Sequence, residues 1–338
     1  MSKLKIVVAG CGSMANTWIK YALGRNDCEI VALVDINKEN AVKKAEQYNI
    51  NCGSYESLET AIKESGANLV FDITIPEAHR NIALTAFENG CDVFGEKPMA
   101  SSMEYAEEMK TAAQQLGRRY SIMQNRRYNK DIRDFRSIIS NGTIGNPGYV
   151  CVDFFLGPRF GGFRAIMDSP LILDMAIHTF DQARFIAGAD PVSVYCHEFN
   201  PEGSWYKGNS SAVCIFEFSN GAVLCYRGSW CAEGAATSWE GDWRVVGSKG
   251  TAIWDGTNRP FCEIAIPSEE PKFFRAIEKI ESGFTYNGKD GHDGCLDEMF
   301  AALIEERKSE TDCTDNTKSM AMVFGALRSA AEGRKVKL

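Results

Sequence analysis

A short polar series inside an apolar segment holds the residues best suited to proton transfer. Asp174 and His178 are four positions apart, and Asp181 follows three positions later. In an α-helix this spacing places the three side chains on one face. Unpaired buried charge is costly, so a helix packed for stability alone would rarely carry three ionisable groups there. The series predicts either a general base with an orienting carboxylate, or a structural histidine–aspartate network at a domain junction.

A lysine follows a short apolar run in the sequence Gly95-Glu96-Lys97-Pro98. In a parallel sheet the carboxyl ends of the strands form the edge where ligands bind. An ammonium group at that edge can hydrogen-bond an oxygen that gains negative charge during a reaction. The alternative for Lys97 is a surface lysine that merely ends the strand.

A glycine-rich turn joins the first predicted strand to the first predicted helix. Its sequence, Gly10-Cys11-Gly12-Ser13-Met14-Ala15, fits the G-x-G-x-x-A pattern of dinucleotide-binding folds. Gly10 permits the tight turn, and Gly12 lets a pyrophosphate approach backbone N–H groups at a helix N-terminus. A strand-to-helix turn without a ligand is the alternative. The residues predicted to contact the nucleotide are Gly10, Gly12, Ser13 and Met14.

An aspartate ends the second predicted strand. Asp35 lies 23 residues beyond Gly12, where a carboxylate can accept hydrogen bonds from both ribose hydroxyls of an adenosine. The same carboxylate would repel a 2′-phosphate, so the sequence predicts NAD rather than NADP. A solvated turn aspartate, with Lys38 accommodating a phosphate nearby, is the alternative.

Alternating strands and helices must position these groups in the first part of the chain, as in a parallel sheet with helices on both faces. The predicted strands are residues 5–9, 29–34, 69–75, 92–95 and 120–124. The predicted helices are residues 14–23, 38–48, 57–64, 77–88 and 101–116. The pattern predicts an α/β Rossmann domain, a doubly wound parallel sheet, over residues 1–125.

The remainder of the chain has a different pattern, with extended segments joined by turn sequences such as Ser219-Asn220-Gly221. The predicted strands are residues 149–156, 192–199, 212–218, 222–230 and 243–246. Helices are predicted at residues 172–187, 295–307 and 316–332. Residues 126–338 are therefore predicted to form an α+β domain with a largely antiparallel open sheet, whose C-terminal helices can pack back on the first domain.

Composition narrows the classes of partner. The chain has 338 residues, with 37 basic and 45 acidic side chains and a formal charge of −8, so nucleic acid is not expected as a partner. No apolar run reaches the roughly 20 residues that span a bilayer. The twelve cysteines contain no Cys-x-x-Cys pair, so no metal site is expected. Without a signal-peptide pattern, we expect a cytoplasmic protein with reduced thiols.

The chain resembles the glucose-fructose oxidoreductase, inositol dehydrogenase and MocA-like family. The resemblance starts from Glu96-Lys97-Pro98 at the end of the fourth strand of a Rossmann domain. Residues 74–79, Thr-Ile-Pro-Glu-Ala-His, resemble the family's nicotinamide-side loop. Residues 125–129 resemble its domain-crossing segment, and residues 173–181 resemble its D-x-x-x-H helix. The motifs span nearly the whole chain, but they do not specify the substrate.

The resemblance implies roles for individual residues and a cis Lys97–Pro98 bond. The implied catalytic residues are Lys97, Asp174 and His178, and Tyr128 joins them in contacting substrate. For His79, a helix-start cap or surface position is an equal alternative to cofactor contact. The further implied cofactor contacts are Thr74, Ile75, Pro76, His79, Glu96, Lys97, Asn125 and Arg126.

These residues together predict an NAD-dependent oxidoreductase that transfers hydride between a secondary ring hydroxyl of a sugar, cyclitol or glycoside and the nicotinamide. His178 would act as the base, Lys97 would stabilise the alkoxide, and Asp174 would orient substrate or imidazole. Two alternatives stay open: a glycoside-processing enzyme that uses bound NAD for transient oxidation, and a non-catalytic NAD and sugar sensor. A sheet with one uncovered face predicts a homo-oligomer, dimer or tetramer, through the second-domain sheet.

Overall fold

The computed structural model describes residues 3–270 and 272–338. These residues group into two compact units. The first unit comprises the chain up to Gln124 together with His292–Met320, and the second comprises Asn125–Gly291 together with Ala321–Leu338. The segment His292–Met320 therefore belongs with the nucleotide-type sheet, although it follows the second sheet in the chain.

The first unit is built on a six-stranded parallel sheet, which confirms the predicted Rossmann fold. Its strands lie in the order β3-β2-β1-β4-β5-β6, the order of dinucleotide-binding sheets. Continuous apolar runs form these strands because both faces of the sheet are covered. The strands are β1 (Leu4–Ala9), β2 (Cys28–Val34), β3 (Gly53–Tyr55), β4 (Leu69–Asp72), β5 (Asp92–Gly95) and β6 (Tyr120–Ile122).

Helices follow the strands of the first unit, and local sequence sets where several of them begin. The side chains of Asn37, Ser57 and Ser102 each accept a backbone N–H in the first turn of a helix. Pro76 occupies the first turn of another helix, where its missing N–H costs nothing. These helices are α1 (Ala15–Leu23), α2 (Lys38–Tyr48), α3 (Leu58–Ser65), α4 (Pro76–Glu88) and α5 (Met103–Gln115).

An aromatic cluster forms the core on one face of this sheet. Trp18 of α1 packs edge-on against Phe71 of β4, with ring centroids 4.9 Å apart. Phe300, from the C-terminal part of the first unit, contacts Phe94 of β5 at 5.3 Å. All four rings are buried, and burying each phenyl ring contributes about 1.5–3 kcal/mol. The cluster explains why this C-terminal segment belongs to the first unit.

The second unit contains a nine-stranded sheet in the order β14-β13-β12-β11-β7-β10-β9-β8-β15. The β7–β10 pair is parallel and the other neighbours are antiparallel, which confirms the largely antiparallel sheet. The strands are β7 (Pro147–Phe155), β8 (Pro191–Phe199), β9 (Ser211–Phe218), β10 (Val223–Ser229), β11 (Asp242–Gly247), β12 (Gly250–Trp254), β13 (Phe261–Ala265), β14 (Ile277–Glu281) and β15 (Val336–Lys337).

Helices cover one face of the second sheet. Phe180 lies between Phe216 of β9 and Tyr226 of β10, at centroid distances of 4.8 Å and 5.1 Å. The opposite face leaves apolar side chains exposed, among them Tyr195, Val213 and Ile215. The helices that begin in the second unit are α6 (Lys130–Ser140), α7 (Phe163–Ile166), α8 (Ile177–Ala187) and α9 (Gly291–Ile304). The last helix is α10 (Cys313–Glu332).

The helix predicted over residues 172–187 differs from the structure in its first turns. Leu171–Ala176 is π-helical, and regular α-helix begins only at Ile177. Asp174 therefore lies in the wider π-helical turn and His178 in α8, so the prediction of regular α-helix is wrong for residues 172–176. Such π-helical insertions are frequent at functional sites.

The described residues contain neither a membrane-spanning helix nor a metal-binding cluster. No helix among residues 3–270 and 272–338 is long and apolar enough to cross a membrane. Over the same ranges, no group of three His, Cys, Asp or Glu side chains is arranged to hold a metal ion.

Candidate active site

The glycine-rich turn has the shape that a pyrophosphate requires. Gly10 has a φ of +92°, and a Cβ there would lie 2.5 Å from the carbonyl oxygen of Ile73. Gly12 has no atom within 4 Å of the position of a Cβ, so the backbone is open to close approach. No side chain of the described chain caps the start of α1. The backbone N–H groups of Asn16 and Thr17 donate to the carbonyl oxygens of Ser13 and Met14. The N–H groups that precede them are therefore the ones that can bind an anion.

Asp35 is tied directly to the glycine-rich turn. Its Oδ2 accepts a hydrogen bond from the backbone N–H of Cys11 at 2.9 Å. Its Oδ1 accepts from the backbone N–H of Asn37 at 2.9 Å and from Nδ2 of Asn40 at 3.1 Å. Because a carboxylate has about four lone-pair sites, Oδ2 can still accept a hydrogen bond from one ribose hydroxyl. The structure thus brings two predicted elements of the nucleotide site together.

The segment after β4 is organised around a buried aspartate. Asp72 accepts at Oδ1 from the hydroxyl of Thr74 at 2.6 Å and at Oδ2 from Nδ1 of His79 at 2.8 Å. Burial would lower the pKa of His79, but the Asp72 carboxylate outweighs it and the pKa is raised. Ile75, between them in sequence, is 65% exposed. The buried His79 holds this loop from inside and does not lie at the surface.

Glu96 and Lys97 follow β5 at the carboxyl edge of the same sheet. Glu96 is buried, and its Oε1 accepts from Nε1 of Trp18 at 2.8 Å. Lys97 is half-buried and directly precedes Pro98. The Lys97–Pro98 peptide bond is cis, as the resemblance implies. Glu96 is thus anchored in the core, while Lys97 stands at the ligand-binding edge.

In the second unit, Asp174 is held by an arginine from the short helix α7. Nε of Arg164 lies 2.5 Å from Oδ2 of Asp174, and Nη2 lies 3.4 Å from Oδ1. The Asp174 side chain is 14% exposed. His178 begins the second turn of the same helical segment and is 7% exposed. A largely dry imidazole one turn from a fixed carboxylate suits proton transfer.

Asp181, the third member of the polar series, has a structural partner. It forms a buried two-point ion pair with Arg127. A structural role, and not a role in proton transfer, therefore applies to Asp181. Asp174 takes no part in this ion pair.

The segment Asn125–Tyr128 forms a single 3₁₀ turn that begins the second unit. Arg126 donates to the carbonyl oxygen of Trp239, and its Nη2 lies 3.9 Å from Sδ of Met175. Tyr128 is 2% exposed, and the Arg133 guanidinium covers its ring at 4.5 Å. The burial of Tyr128 gives no support to its predicted substrate contact, which stays a prediction. The predicted nucleotide contacts of Asn125 and Arg126 stay predictions.

Sequence reasoning missed two residues that shape these groups. Asp72 could have been found, because an aspartate that ends a buried strand just before a Thr-x-Pro sequence needs internal donors. Arg164 gave no such signal, because nothing in the sequence around it marks its partner. Its pairing with Asp174 depends on where the short helix α7 lies in the folded chain.

The first unit fits a bound NAD on its own geometry. The open space at Gly12, the uncapped start of α1 and the acceptor at Asp35 match the pyrophosphate and the adenosine ribose. A 2′-phosphate on that ribose would meet the Asp35 carboxylate.

Comparison with known proteins agrees with these features. Residues 4–124 match a model described as "Oxidoreductase family, NAD-binding Rossmann fold", and residues 132–253 match the GFO/IDH/MocA C-terminal domain. The D-glucoside 3-dehydrogenase of Escherichia coli is 28% identical over 66% of this chain and 69% of its own length. The scyllo-inositol 2-dehydrogenase (NAD(+)) of Bacillus subtilis is 26% identical over 92% of this chain and 89% of its own.

Solved structures share the fold over the full length. An Agrobacterium radiobacter oxidoreductase in complex with NAD+, L-tartaric acid and magnesium superposes with a TM-score of 0.84, at 22% identity, covering 99% of this chain and 98% of its own. The matches to both family domains, together with the glycine-rich turn and the Rossmann strand order, establish that this chain belongs to the GFO/IDH/MocA family of oxidoreductases with an NAD-binding Rossmann fold.

Proposed function

We propose that this oxidoreductase transfers hydride between a secondary ring hydroxyl of a sugar, cyclitol or glycoside and NAD. The observation that carries the proposal is His178, a nearly buried imidazole one turn after a carboxylate fixed by Arg164. Alcohol oxidation needs a base that takes the hydroxyl proton, and imidazole is the side chain that most often does this. The names of the relatives, a D-glucoside 3-dehydrogenase and a scyllo-inositol 2-dehydrogenase, support ring alcohols as the substrate class.

Each side chain has a distinct task in the proposed reaction. His178 takes the hydroxyl proton as the carbon–hydrogen bond breaks. The Lys97 ammonium donates a hydrogen bond to the same oxygen and stabilises the charge that develops on it. Asp174 accepts a hydrogen bond from a neighbouring hydroxyl and so fixes which carbon reacts. Bound NAD supplies the acceptor for the hydride.

The proposed roles of the remaining predicted residues are in binding. Gly10, Gly12, Ser13 and Met14 would hold the pyrophosphate and Asp35 the ribose. The proposed nicotinamide-side contacts are Thr74, Ile75, Pro76, Glu96, Lys97, Asn125 and Arg126. His79 is fully buried against Asp72, so its proposed role is to hold this loop and not to touch the cofactor. Tyr128 would border the substrate.

We also propose that the protein works as a homo-oligomer, a dimer or a tetramer. The exposed face of the nine-stranded sheet supports this, because it carries the apolar side chains of Tyr195, Val213 and Ile215. All twelve cysteines are unbridged, which supports a reducing, cytoplasmic setting.

A screen for NADH release tests the reaction class. The purified protein would be incubated with NAD and with inositols, free monosaccharides and alkyl glycosides in turn. We expect reduced nicotinamide to accumulate beyond the enzyme concentration with at least one ring alcohol. Glycoside cleavage with at most one equivalent of NADH would favour the transient-oxidation mechanism instead. Tight NAD binding without redox change on any alcohol would overturn the proposal and favour a sensor.

A further inference from the structure

Two exposed aromatic rings stand side by side in the second unit. Phe160 and Trp239 are 54% and 46% exposed, and their ring centroids are 6.4 Å apart. Beneath them, the buried Trp230 packs edge-on against Phe160 at 6.2 Å. We call Phe160 and Trp239 the aromatic platform. Exposed rings gathered in this way mark surfaces that a ligand covers.

The aromatic platform is connected to Asp174 through Arg164. The Arg164 guanidinium carbon lies 5.3 Å from the Phe160 centroid, while Nε of the same guanidinium lies 2.5 Å from the Asp174 carboxylate. One arginine head group therefore spans the interval between the carboxylate and the nearer ring.

The other ring of the platform is held in place from the helical side. Arg126 donates to the carbonyl oxygen of Trp239 and also contacts Met175, the neighbour of Asp174 in sequence. Glu240, next to Trp239, accepts at Oε2 from Nε2 of Gln182 on α8 at 2.7 Å. Arg126 holds the Trp239 backbone and Gln182 holds the next residue, so the segment that carries the ring is in place before a ligand binds.

Trp230 supports the same interpretation from below. Its Nε1 is buried, and no group in the described part of the chain accepts a hydrogen bond from it. A buried donor without an acceptor is unfavourable. Trp230 therefore supports Phe160 through ring contact alone and not through a hydrogen bond.

We infer that the aromatic platform is a binding subsite for the aglycone of a glycoside, the group attached to the ring that is oxidised. This inference rests on the proposed function, in which Asp174 binds the hydroxyls of that ring. A free monosaccharide or cyclitol has a single ring and would leave the platform uncovered. A glycoside whose aglycone presents a flat apolar face fills both places, with the Arg164 guanidinium at the linking oxygen.

Direct binding measurements test the subsite without relying on turnover. The NAD-loaded protein would be titrated with phenyl β-glucoside, methyl β-glucoside and myo-inositol by calorimetry. We expect phenyl β-glucoside to bind about tenfold more tightly than methyl β-glucoside, because ring stacking contributes about one decade of affinity. Cellobiose carries a second sugar in place of the phenyl ring. Its affinity, compared with that of phenyl β-glucoside, shows whether the platform binds an aromatic aglycone or the C–H face of a second sugar.

Variants locate the effect. Phe160→Ala and Trp239→Ala should each remove most of the preference for phenyl over methyl β-glucoside, and Trp239→Phe should restore part of it. Phe274→Ala, which removes another exposed ring of the same unit, should leave the preference unchanged. Equal affinity for the two glucosides, or a preference that survives both alanine variants, would overturn the inference. Failure of the proposed function would appear separately, as no NADH from any ring alcohol.

Discussion

Arg127 and Asp181 form a two-point ion pair inside the second unit. Nε of Arg127 lies 2.6 Å from Oδ2 of Asp181, and Nη2 lies 2.7 Å from Oδ1. Their side chains are only 7% and 2% exposed. The pair joins the 3₁₀ turn that begins the unit to helix α8, which carries His178. It is a fixed frame for the helix and takes no part in the proposed proton transfer.

Breaking this pair should destabilise the protein strongly. Asp181→Asn leaves the Arg127 guanidinium buried without its counter-charge, which costs about 3–5 kcal/mol. Urea unfolding of the NAD-free protein measures the change. Asp153→Asn is a matched control, because Asp153 forms a similar two-point pair with Arg227 in a more exposed position. Its cost should be at most about 1 kcal/mol. Equal costs for the two variants would contradict the framing role of Asp181.

Asp35 should set the choice between the two nicotinamide cofactors. Replacing it by serine removes the ribose acceptor and the charge that repels a 2′-phosphate, so NADH binding should weaken about tenfold while NADPH binding improves. Fluorescence titration with both reduced cofactors gives the ratio. Asn40→Ala removes one hydrogen-bond partner of the carboxylate and keeps its charge, so its ratio should equal that of the wild type. Tighter binding of NADPH than NADH by the wild type would contradict the assignment.

Glu198 should make stability fall as pH rises towards neutrality. Burial raises the pKa of this carboxyl from 4.5 to about 7 in the folded protein, although Ser169 donates a hydrogen bond to it. A raised carboxyl pKa means that the folded state holds its proton more tightly than the unfolded state. Folding is therefore favoured less as pH increases from 4.5 to about 7, and the loss is complete above that value.

Glu198→Gln removes this penalty. The variant should be more stable than the wild type by about 1–2 kcal/mol at slightly alkaline pH, and the two should be nearly equal under acidic conditions. Unfolding in urea at the two pH values measures the difference. Glu263→Gln, at an exposed position on β13, should show no such pH-dependent gain. A pH-independent effect of Glu198→Gln would show that the carboxyl does not titrate in this range.

The uncovered face of the second sheet should be where subunits meet. Ile215 is 44% exposed in the middle of β9. Ile215→Lys places a charge on that face and should shift the mass in solution, measured by light scattering, towards the monomer. Val42→Lys, at an exposed aliphatic position on α2, should keep the wild-type mass. A monomeric wild type, or an unchanged mass for Ile215→Lys, would contradict the proposed interface.

Apolar periodicity was sufficient to predict the Rossmann sheet, because buried parallel strands are continuous apolar runs. It missed β3, whose three residues, Gly53–Tyr55, contain no such run. In the second sheet it missed β12, β13, β14 and β15, and of these β14 has three charged residues among its five. The amphipathic helix α6 was also not predicted, although Lys130–Ser140 carries a clear apolar face. The apolar face of α6 is a sequence signal from which this helix is predictable.

The candidate site likewise contains some residues that the sequence predicted and some that it did not. Spacing and flanking strands were enough to single out the glycine-rich turn, Asp35, Lys97 and His178, because those signals are local. The partners of the acidic groups were not predictable. Arg127 is 54 residues from Asp181, and Arg164 reaches Asp174 from the separate short helix α7. The π-helical turn at Leu171–Ala176 likewise depends on packing and not on any residue pattern.

In the proposed reaction, His178 takes the hydroxyl proton of a ring alcohol, and Lys97 stabilises the charge that develops on the same oxygen. The most direct measurement is the rate of NADH formation by NAD-saturated His178→Ala and Lys97→Ala with the ring alcohol that the wild type oxidises fastest. Each variant should retain NAD binding and lose about a hundredfold or more in kcat. His197→Ala replaces an exposed histidine of the second unit, which also contains His178, and its rate should stay near that of the wild type. Near-normal turnover in either active-site variant would contradict the claim.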